Sequence, residues 1–303
     1  MPAVRWAGAK EAGPVRVSLG VTRDDWSYDL SCGLPIPRQT AFLYDPEIKE
    51  EKIWHGSRCL PSTTTLARDR GAVTVRTDDG SRTSYTGTIV QNESVLSQIQ
   101  DPTVYPELYT LRSQIQGWRF YHEFRTDRDS PLRQSQVATE TRSMASDGRD
   151  LVSSLQTIFE SDRAESLREA LREAFPKSTL FIVPDGGCRL RLEIKVDGIE
   201  RKFEAAEFSD GTLRYLCLLG ALLSPAPPEL LILNEPDTNL HPELLGPLAR
   251  RIAEASEHTQ VVLTTHSEKL ARDVGSEANV DPLRLYMENG ETLIEGQGLL
   301  DRA

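Results

Sequence analysis

The stretch that decides the fold lies between Glu207 and Ser267: EFSDGTLRYLCLLGALL over 207–223, PPELLILNEPDTNLHPELL over 227–245 and QVVLTTHS over 260–267. Leu230, Leu231, Ile232 and Leu233 form a short continuous apolar run behind Pro227-Pro228, closed abruptly by Asn234 and Glu235. Such a run predicts a parallel strand buried on both faces. His241 to Glu257 reads as an amphipathic helix, with Leu244, Leu248 and Ile252 at i, i+4 and i+8 and with Arg250, Arg251 and Glu254 mostly turned outward. A second apolar run, Val261-Val262-Leu263, leads to Thr264-Thr265-His266-Ser267, and Ser267 is placed to cap a further helix through Arg272. Strand, helix, strand and helix in this order make a right-handed crossover. It brings Glu235 and His266 to one carboxyl edge of the sheet, where open α/β sheets bind ligands.

Four motifs are carried in this stretch. LLILNEPD resembles a Walker B strand with its catalytic glutamate, and Thr238-Asn239-Leu240-His241 occupies the D-loop position. His266 resembles a switch histidine, and Phe208-Ser209-Asp210-Gly211-Thr212 resembles a signature motif that opens a helix. Each alone is a weak signal, because an apolar run ending in an acid is common. In this order and spacing they resemble the RecF/SMC-like branch of ABC-type ATPase heads, within the bacterial predicted AAA-family ATPases. The resemblance implies an α/β fold: an ABC-type P-loop NTPase head with an antiparallel β lobe, a short helical insertion and no coiled-coil arm. It implies ATP and Mg²⁺ as cofactors, held between two heads.

The resemblance also assigns roles. Glu235 is the base that takes a proton from the attacking water, and His266 donates to a γ-phosphate oxygen. Ser209, Asp210, Gly211 and Thr212 offer backbone donors and a helix start to nucleotide held by another subunit, with Asn239 beside them. Asn234 faces Mg²⁺ through water. Gln98, in the segment QNESVLSQIQ, is the expected metal-sensing glutamine, with Gln91 and Gln100 as close competitors. Plainer roles stand beside these: Ser209 as a helix N-cap, Glu235 capping the following helix, His266 as a structural residue, Gln98 as a polar residue at a helix start.

Three features depart from the family pattern. Asn234 replaces the usual aspartate, keeping an acceptor oxygen but losing the charge, which weakens metal affinity. Asp210 replaces a glycine and brings a negative charge toward the phosphates. No G-x-x-x-x-G-K-[ST] occurs in the 303 residues. Pro176-Lys177-Ser178-Thr179 follows a helix and lacks every glycine, and Gly8-Ala9-Lys10 lacks the hydroxyl residue and a preceding strand. In the family this loop precedes the β lobe, so the start of the chain, which reads like the middle of a domain, is expected to be a truncation. The chain alone is then expected to bind ATP weakly.

A length of 303 residues suits one large domain or two intimate lobes. The net charge of −11 is spread along the chain and gives no support to a nucleic-acid surface, though a local basic groove is compatible with it. Cys32, Cys59, Cys188 and Cys217 show no metal-ligand spacing, and Cys217 falls in an apolar helix. No signal peptide and no run approaching the roughly 20 residues of a membrane span is present, so a cytoplasmic protein is expected.

Outside the central stretch, β patterns run from Val15 to Gly87 (VRVSLGV, WSYDLSC, TAFLYD, IKEEKIW, AVTVRT, SRTSYTG), with Asp79-Gly80 as a hairpin turn. A short helix over 106–116 and the aromatic run 118–121 follow. Residues 125–147 read as a long polar loop, and 150–175 as helical. Strands are expected over 180–183, 189–196 and 201–208, with a turn at Asp197-Gly198 and a closing hairpin through Asn289-Gly290. The expected division is a β lobe over 1–100, a helical insertion over 101–179, and the motif-bearing lobe over 180–303. The function expected is an ATP-binding, ATP-hydrolysing head that forms a homodimer or pairs with a P-loop-bearing partner through its signature and D-loop. Two other readings stay open: a non-catalytic interaction module, and a half-site that complements a P-loop-bearing partner.

Overall fold

Alternating apolar and polar residues between Arg16 and Ser84 fold into six strands: β1 Arg16–Thr22, β2 Trp26–Gly33, β3 Glu47–His55, β4 Thr64–Asp69, β5 Ala72–Arg76 and β6 Arg82–Ser84. They pair in chain order as one antiparallel sheet. The computed structural model describes residues 15–36, 39, 41–42, 44–77 and 80–296. The chain divides into two units, one of residues up to Ser113 together with those from Arg284, the other from Gln114 to Leu283. Residues 1–8, Gly8-Ala9-Lys10 and Asp79, to which expectations were attached, lie outside the described residues.

Two strand expectations in the first unit need correction. TAFLYD forms no strand across its described residues: Ala41, Phe42 and Tyr44 lie in turns, and Phe42 and Tyr44 are exposed. The next strand starts only after Asp45-Pro46, a turn-forming pair. β4, in contrast, was unforeseen because TTLARD has a single large apolar residue. It earns its central place by burying a charge instead.

That charge is Arg68, which is fully buried with Glu51 of β3 at 3.4 Å. Arg68 also donates to the carbonyls of Arg70, Glu93 and Val90, at 2.6, 2.6 and 3.0 Å. Glu51 accepts from the Val95 N–H, the Ser94 hydroxyl and the Tyr28 hydroxyl, at 3.0, 2.5 and 2.7 Å. The pair therefore fastens the 90–94 turn and the start of α1, Val95–Gln98, onto the sheet. Burial and the adjacent Glu51 charge push the Tyr28 phenol well above its usual range. α2, Pro106–Gly117, follows.

The second unit begins with β7, Arg119–Tyr121, and β8, Gln136–Val137. Between and after them the 125–147 segment is largely irregular, with one 3₁₀ turn at Pro131–Arg133. α3, Leu151–Phe159, and α4, Ala164–Ala174, precede a small sheet of β9, Ser178–Pro184, β10, Arg189–Val196, and β11, Lys202–Glu204. In it β10 is central, with β9 on one side and β8 and β11 on the other. Pro176 and Lys177 lead directly into β9. Then come α5, Asp210–Leu222, β12, Leu230–Asn234, α6, Leu245–Ser256, β13, Gln260–Thr264, and α7, Glu268–Ala278. The final hairpin, β14 Leu285–Glu288 and β15 Glu291–Ile294, turns at Asn289-Gly290, both with positive φ as that turn requires.

α5 is apolar on all sides, and every residue from Leu213 to Leu222 is buried. It packs against α3 and α6, and burial pushes the Cys217 thiol well up. β7, β12 and β13 form an all-parallel sheet with β12 in the middle. Leu231, Leu233 and Tyr121 face the core, but Phe120 and Val262 on the other face are 50% and 42% exposed. The expected strand buried on both faces is thus buried on one. α6 begins one turn later than predicted, after a 3₁₀ turn at Pro242–Leu244, and Arg251, expected outward, is buried against Glu254 at 2.7 Å. No helix among the described residues exceeds the 13 residues of α5, so no coiled-coil arm emerges from them. None is long and apolar enough to cross a membrane.

Removing one partner of a buried ion pair strands the other charge, at a cost of about 3–5 kcal/mol. Glu51→Ala is expected to destabilise the first unit by that amount and Glu51→Gln, which still accepts from Val95, by less. Urea unfolding followed by fluorescence of Trp26 and Trp54, both on strands of this sheet, measures it.

Candidate functional site

Parallel pairing sets Asn234 level with Thr264, and the Leu233–Tyr121 pair puts His122 in the next position of the same row. Glu235, one residue beyond β12, is held by its backbone. Its N–H donates to the Thr264 carbonyl at 2.9 Å, and its carbonyl accepts from the Thr238 N–H at 3.2 Å and Arg214 Nη2 at 2.9 Å. Its φ is +47°, a left-handed conformation costly for a glutamate. The carboxylate is 46% exposed, with Oε1 3.5 Å from Nε2 of His266. His266 projects from the strand end with its ring 91% exposed. The structure thus brings these two predicted residues together. Glu235 does not cap the next helical turn; the His241 side chain does, accepting from the Glu243 N–H.

Between Glu235 and His266 the two strand-end loops are laced together. Thr265 Oγ1 donates to Asp237 Oδ1 at 2.5 Å and accepts from the Ser267 N–H at 2.9 Å. Ser267 caps α7 by accepting from the Leu270 N–H at 3.2 Å. His266 therefore stands between two anchored residues.

Ser209, Asp210, Gly211 and Thr212 start α5. The Ser209 hydroxyl accepts from the Thr212 N–H at 3.1 Å and lies 2.8 Å from the Thr212 hydroxyl, so the capping role is realised. Asp210 is paired with Arg133 Nη2 at 2.6 Å, so its charge is offset on the same chain. Arg133 also donates to the carbonyls of Phe208 at 2.6 Å and Thr126 at 2.9 Å, tying the approach to α5 to the polar 125–133 loop. Gly211 lies against the 238–241 segment: a Cβ there would sit 2.8 Å from the Asn239 carbonyl oxygen. Asn239 itself has φ +62°.

Asn234 is held on both sides of its amide. Thr264 Oγ1 donates to Oδ1 at 2.7 Å, and Nδ2 donates to His122 Nδ1 at 2.7 Å. Gln98 belongs to the first unit, where its amide is engaged with backbone. Oε1 accepts from the Val90 N–H at 2.7 Å, and Nε2 donates to the Glu93 carbonyl at 2.9 Å. Gln100 is likewise turned to the Ser97 carbonyl at 2.5 Å.

Beneath the Glu235 turn lies Arg214, buried on α5, with Nε unpartnered. Desolvation lowers its pKa, while Glu123, Asp237 and Glu235 act in the opposite sense. His122, Arg133, Arg214, Asp237 and Thr265 were not anticipated from sequence. Arg214 had a signal, as the one charge within the apolar stretch from Leu213 to Leu222. So had His122, the first polar residue after an aromatic run, as Asn234 is after its leucines. Arg133 had none, because it works chiefly through backbone carbonyls.

A carboxylate beside an exposed imidazole, and hydroxyls at a helix start, suit the γ-phosphate end of a nucleotide. For Mg²⁺ the fit is indirect: Asn234 keeps one unused lone pair on Oδ1, and among the described residues no group of three or more His, Cys, Asp or Glu is arranged to hold a metal.

Gly211→Ala is expected to push the Asn239 segment away from α5, at a cost of about 1–3 kcal/mol. Thermal unfolding of the variant, compared with a half-buried Gly246→Ala control whose added Cβ meets nothing within 4 Å, measures it.

Comparison with known proteins supplies the family. Solved structures that match include an SMC head domain with a coiled coil and joint from Pyrococcus yayanosii, 16% identical, covering 45% of this chain and 27% of that one, with a TM-score of 0.36. An SMC head domain from Thermotoga maritima is 14% identical and covers 89% of this chain and 73% of that one, with a TM-score of 0.34. The Pyrococcus furiosus Smc head domain with an extended coiled coil, bound to the C-terminal domain of ScpA, is 11% identical and covers 89% and 76%, with a TM-score of 0.41. No curated protein matches. The model of one family, described as "AAA domain, putative AbiEii toxin, Type IV TA system", matches residues 74–272, which take in the strand-end carboxylate, the imidazole and the capped α5 start; the chain belongs to this AAA ATPase family.

Proposed function

We propose that the second unit is the γ-phosphate half of an ATP-hydrolysing site. The observation that carries this reading is the pairing of Glu235 with His266 at the carboxyl edge of a parallel sheet. Bound ATP–Mg²⁺ would supply the phosphoanhydride and the charge neutralisation that make the γ-phosphorus open to water. Glu235 Oε1 accepts the proton of that water, its backbone pinned so that the carboxylate alone moves. His266 donates to a phosphate oxygen, and the α5 start with Ser209, Gly211 and Thr212 presents donors to nucleotide on a second head, with Asn239 alongside. Asn234 would help hold Mg²⁺ through the spare lone pair of its Oδ1, and Gln98 would have to release the 90–94 backbone before it could sense the metal. The partner is a second copy or a P-loop-bearing chain, met through the signature and D-loop segments. This reading places the protein in the cytoplasm; a nucleic-acid partner is compatible with it but draws no support from the net charge of −11.

Two experiments test it. In an assembly that supplies a phosphate-binding loop, Glu235→Gln is expected to keep ATP binding while turnover falls about 10²–10⁴-fold, because the amide holds water but takes no proton; wild-type turnover overturns the assignment. Ser209→Arg in the Glu235→Gln background is expected to abolish ATP-dependent dimers in size-exclusion chromatography, by filling the helix start with a long cation. An unchanged dimer fraction removes the α5 start from the interface.

A further inference from the structure

Row by row across the parallel sheet, His122, Asn234 and Thr264 are neighbours at the ends of β7, β12 and β13. Their side chains are joined in that order, at 2.7 Å on each side of the Asn234 amide. An amide has two faces of opposite character, a donor nitrogen and an acceptor oxygen, and a half turn about its last bond exchanges them. At a strand end facing a metal or phosphate, that exchange decides whether the edge attracts or repels an anion. We propose that His122 is a positioning residue that, together with Thr264, fixes the Asn234 amide in the orientation with Nδ2 toward β7 and Oδ1 toward β13.

The chemistry is one-directional. Nδ2 carries hydrogens only, so Nδ1 of His122 must present its lone pair and the ring proton must reside on Nε2. Thr264 spends its hydroxyl proton on Oδ1, which leaves one lone pair of that oxygen and one N–H of Nδ2 unspent. A strand-end aspartate would need no such arrangement, since both its oxygens accept. The clamp is the device by which a neutral residue at this position keeps a defined acceptor beside Glu235. Its consequence for Mg²⁺ rests on the nucleotide-site reading; the clamp itself does not.

The first test uses the full chain without nucleotide, labelled with ¹⁵N in its histidine rings and asparagine amides. His122 is expected to show an unprotonated Nδ1 and a protonated Nε2. Asn234→Asp, which replaces the donor by an acceptor, is expected to move the ring proton to Nδ1, and Thr264→Val to broaden the Asn234 amide signals by freeing the half turn. His122→Asn, whose Oδ1 stands where Nδ1 stood, is expected to keep the wild-type Asn234 amide shifts, and His122→Phe to lose them. A protonated Nδ1 in the wild-type chain, or Asn234 amide shifts unmoved in folded His122→Phe, overturns the proposal. The second test reads Mg²⁺ dependence of turnover where a phosphate-binding loop is supplied. Outer-layer partners of this kind change metal affinity about 10–100-fold. His122→Phe is expected to raise half-saturating Mg²⁺ within that range with little change in kcat, and His122→Asn to restore it; a fall in kcat alone overturns the positioning role. A failed Glu235→Gln experiment leaves the ring spectra untouched, so the two readings fail separately.

Discussion

The register of β12 against its two neighbours is the constraint on which the site depends. Five residues, Leu230–Asn234, run parallel to Gln260–Thr264, and the same strand runs parallel to Arg119–Tyr121. Parallel strands end together, so polar residues distant in the chain arrive side by side. A slip of one residue would turn Leu231 and Leu233 out of the core and bring Asn234 into line with the apolar row of Leu263 and Tyr121. Leu231 and Leu233 share one buried cluster with the leucines of α5, which favours this register.

Arginine side chains do much of the remaining positioning, and they do it through backbone oxygens. Arg68 gathers the 90–94 turn, Arg133 the approach to α5, and Arg214 the Glu235 carbonyl. A guanidinium offers five donors in a rigid fork, so one residue can satisfy several loop carbonyls that no regular element would reach. Loops held in this way keep an irregular path without losing order.

What was legible in the sequence follows from this division of labour. The β12–α6–β13–α7 order, the Glu235–His266 pairing, the Ser209 and Ser267 caps and the Asn289-Gly290 hairpin all follow from periodicity, caps and turn residues, which are local rules. β4 and the 40–45 stretch were misread because burial there runs against residue type: Arg68 is inside, and Phe42 and Tyr44 are outside. The open face of the parallel sheet was equally hidden, since an apolar strand looks the same whether one face or two are covered. The ties made by His122, Arg133 and Arg214 depend on distant partners that leave no spacing to read.

Glu235 carries a further consequence through its left-handed backbone. At φ +47° a glycine or asparagine sits more comfortably than a glutamate, by about 1 kcal/mol. Substitution there is drawn in two directions at once. A selection for folded yield alone would enrich glycine or asparagine and discard the acid that faces His266, whereas, on the proposed reading, a selection for turnover would retain the strained residue. On the proposed reading, stability and activity would trade against each other at this single position, as they do where a reactive group is held out of its preferred conformation. A deep substitution scan scored separately for abundance and for turnover would separate the two demands at residue 235.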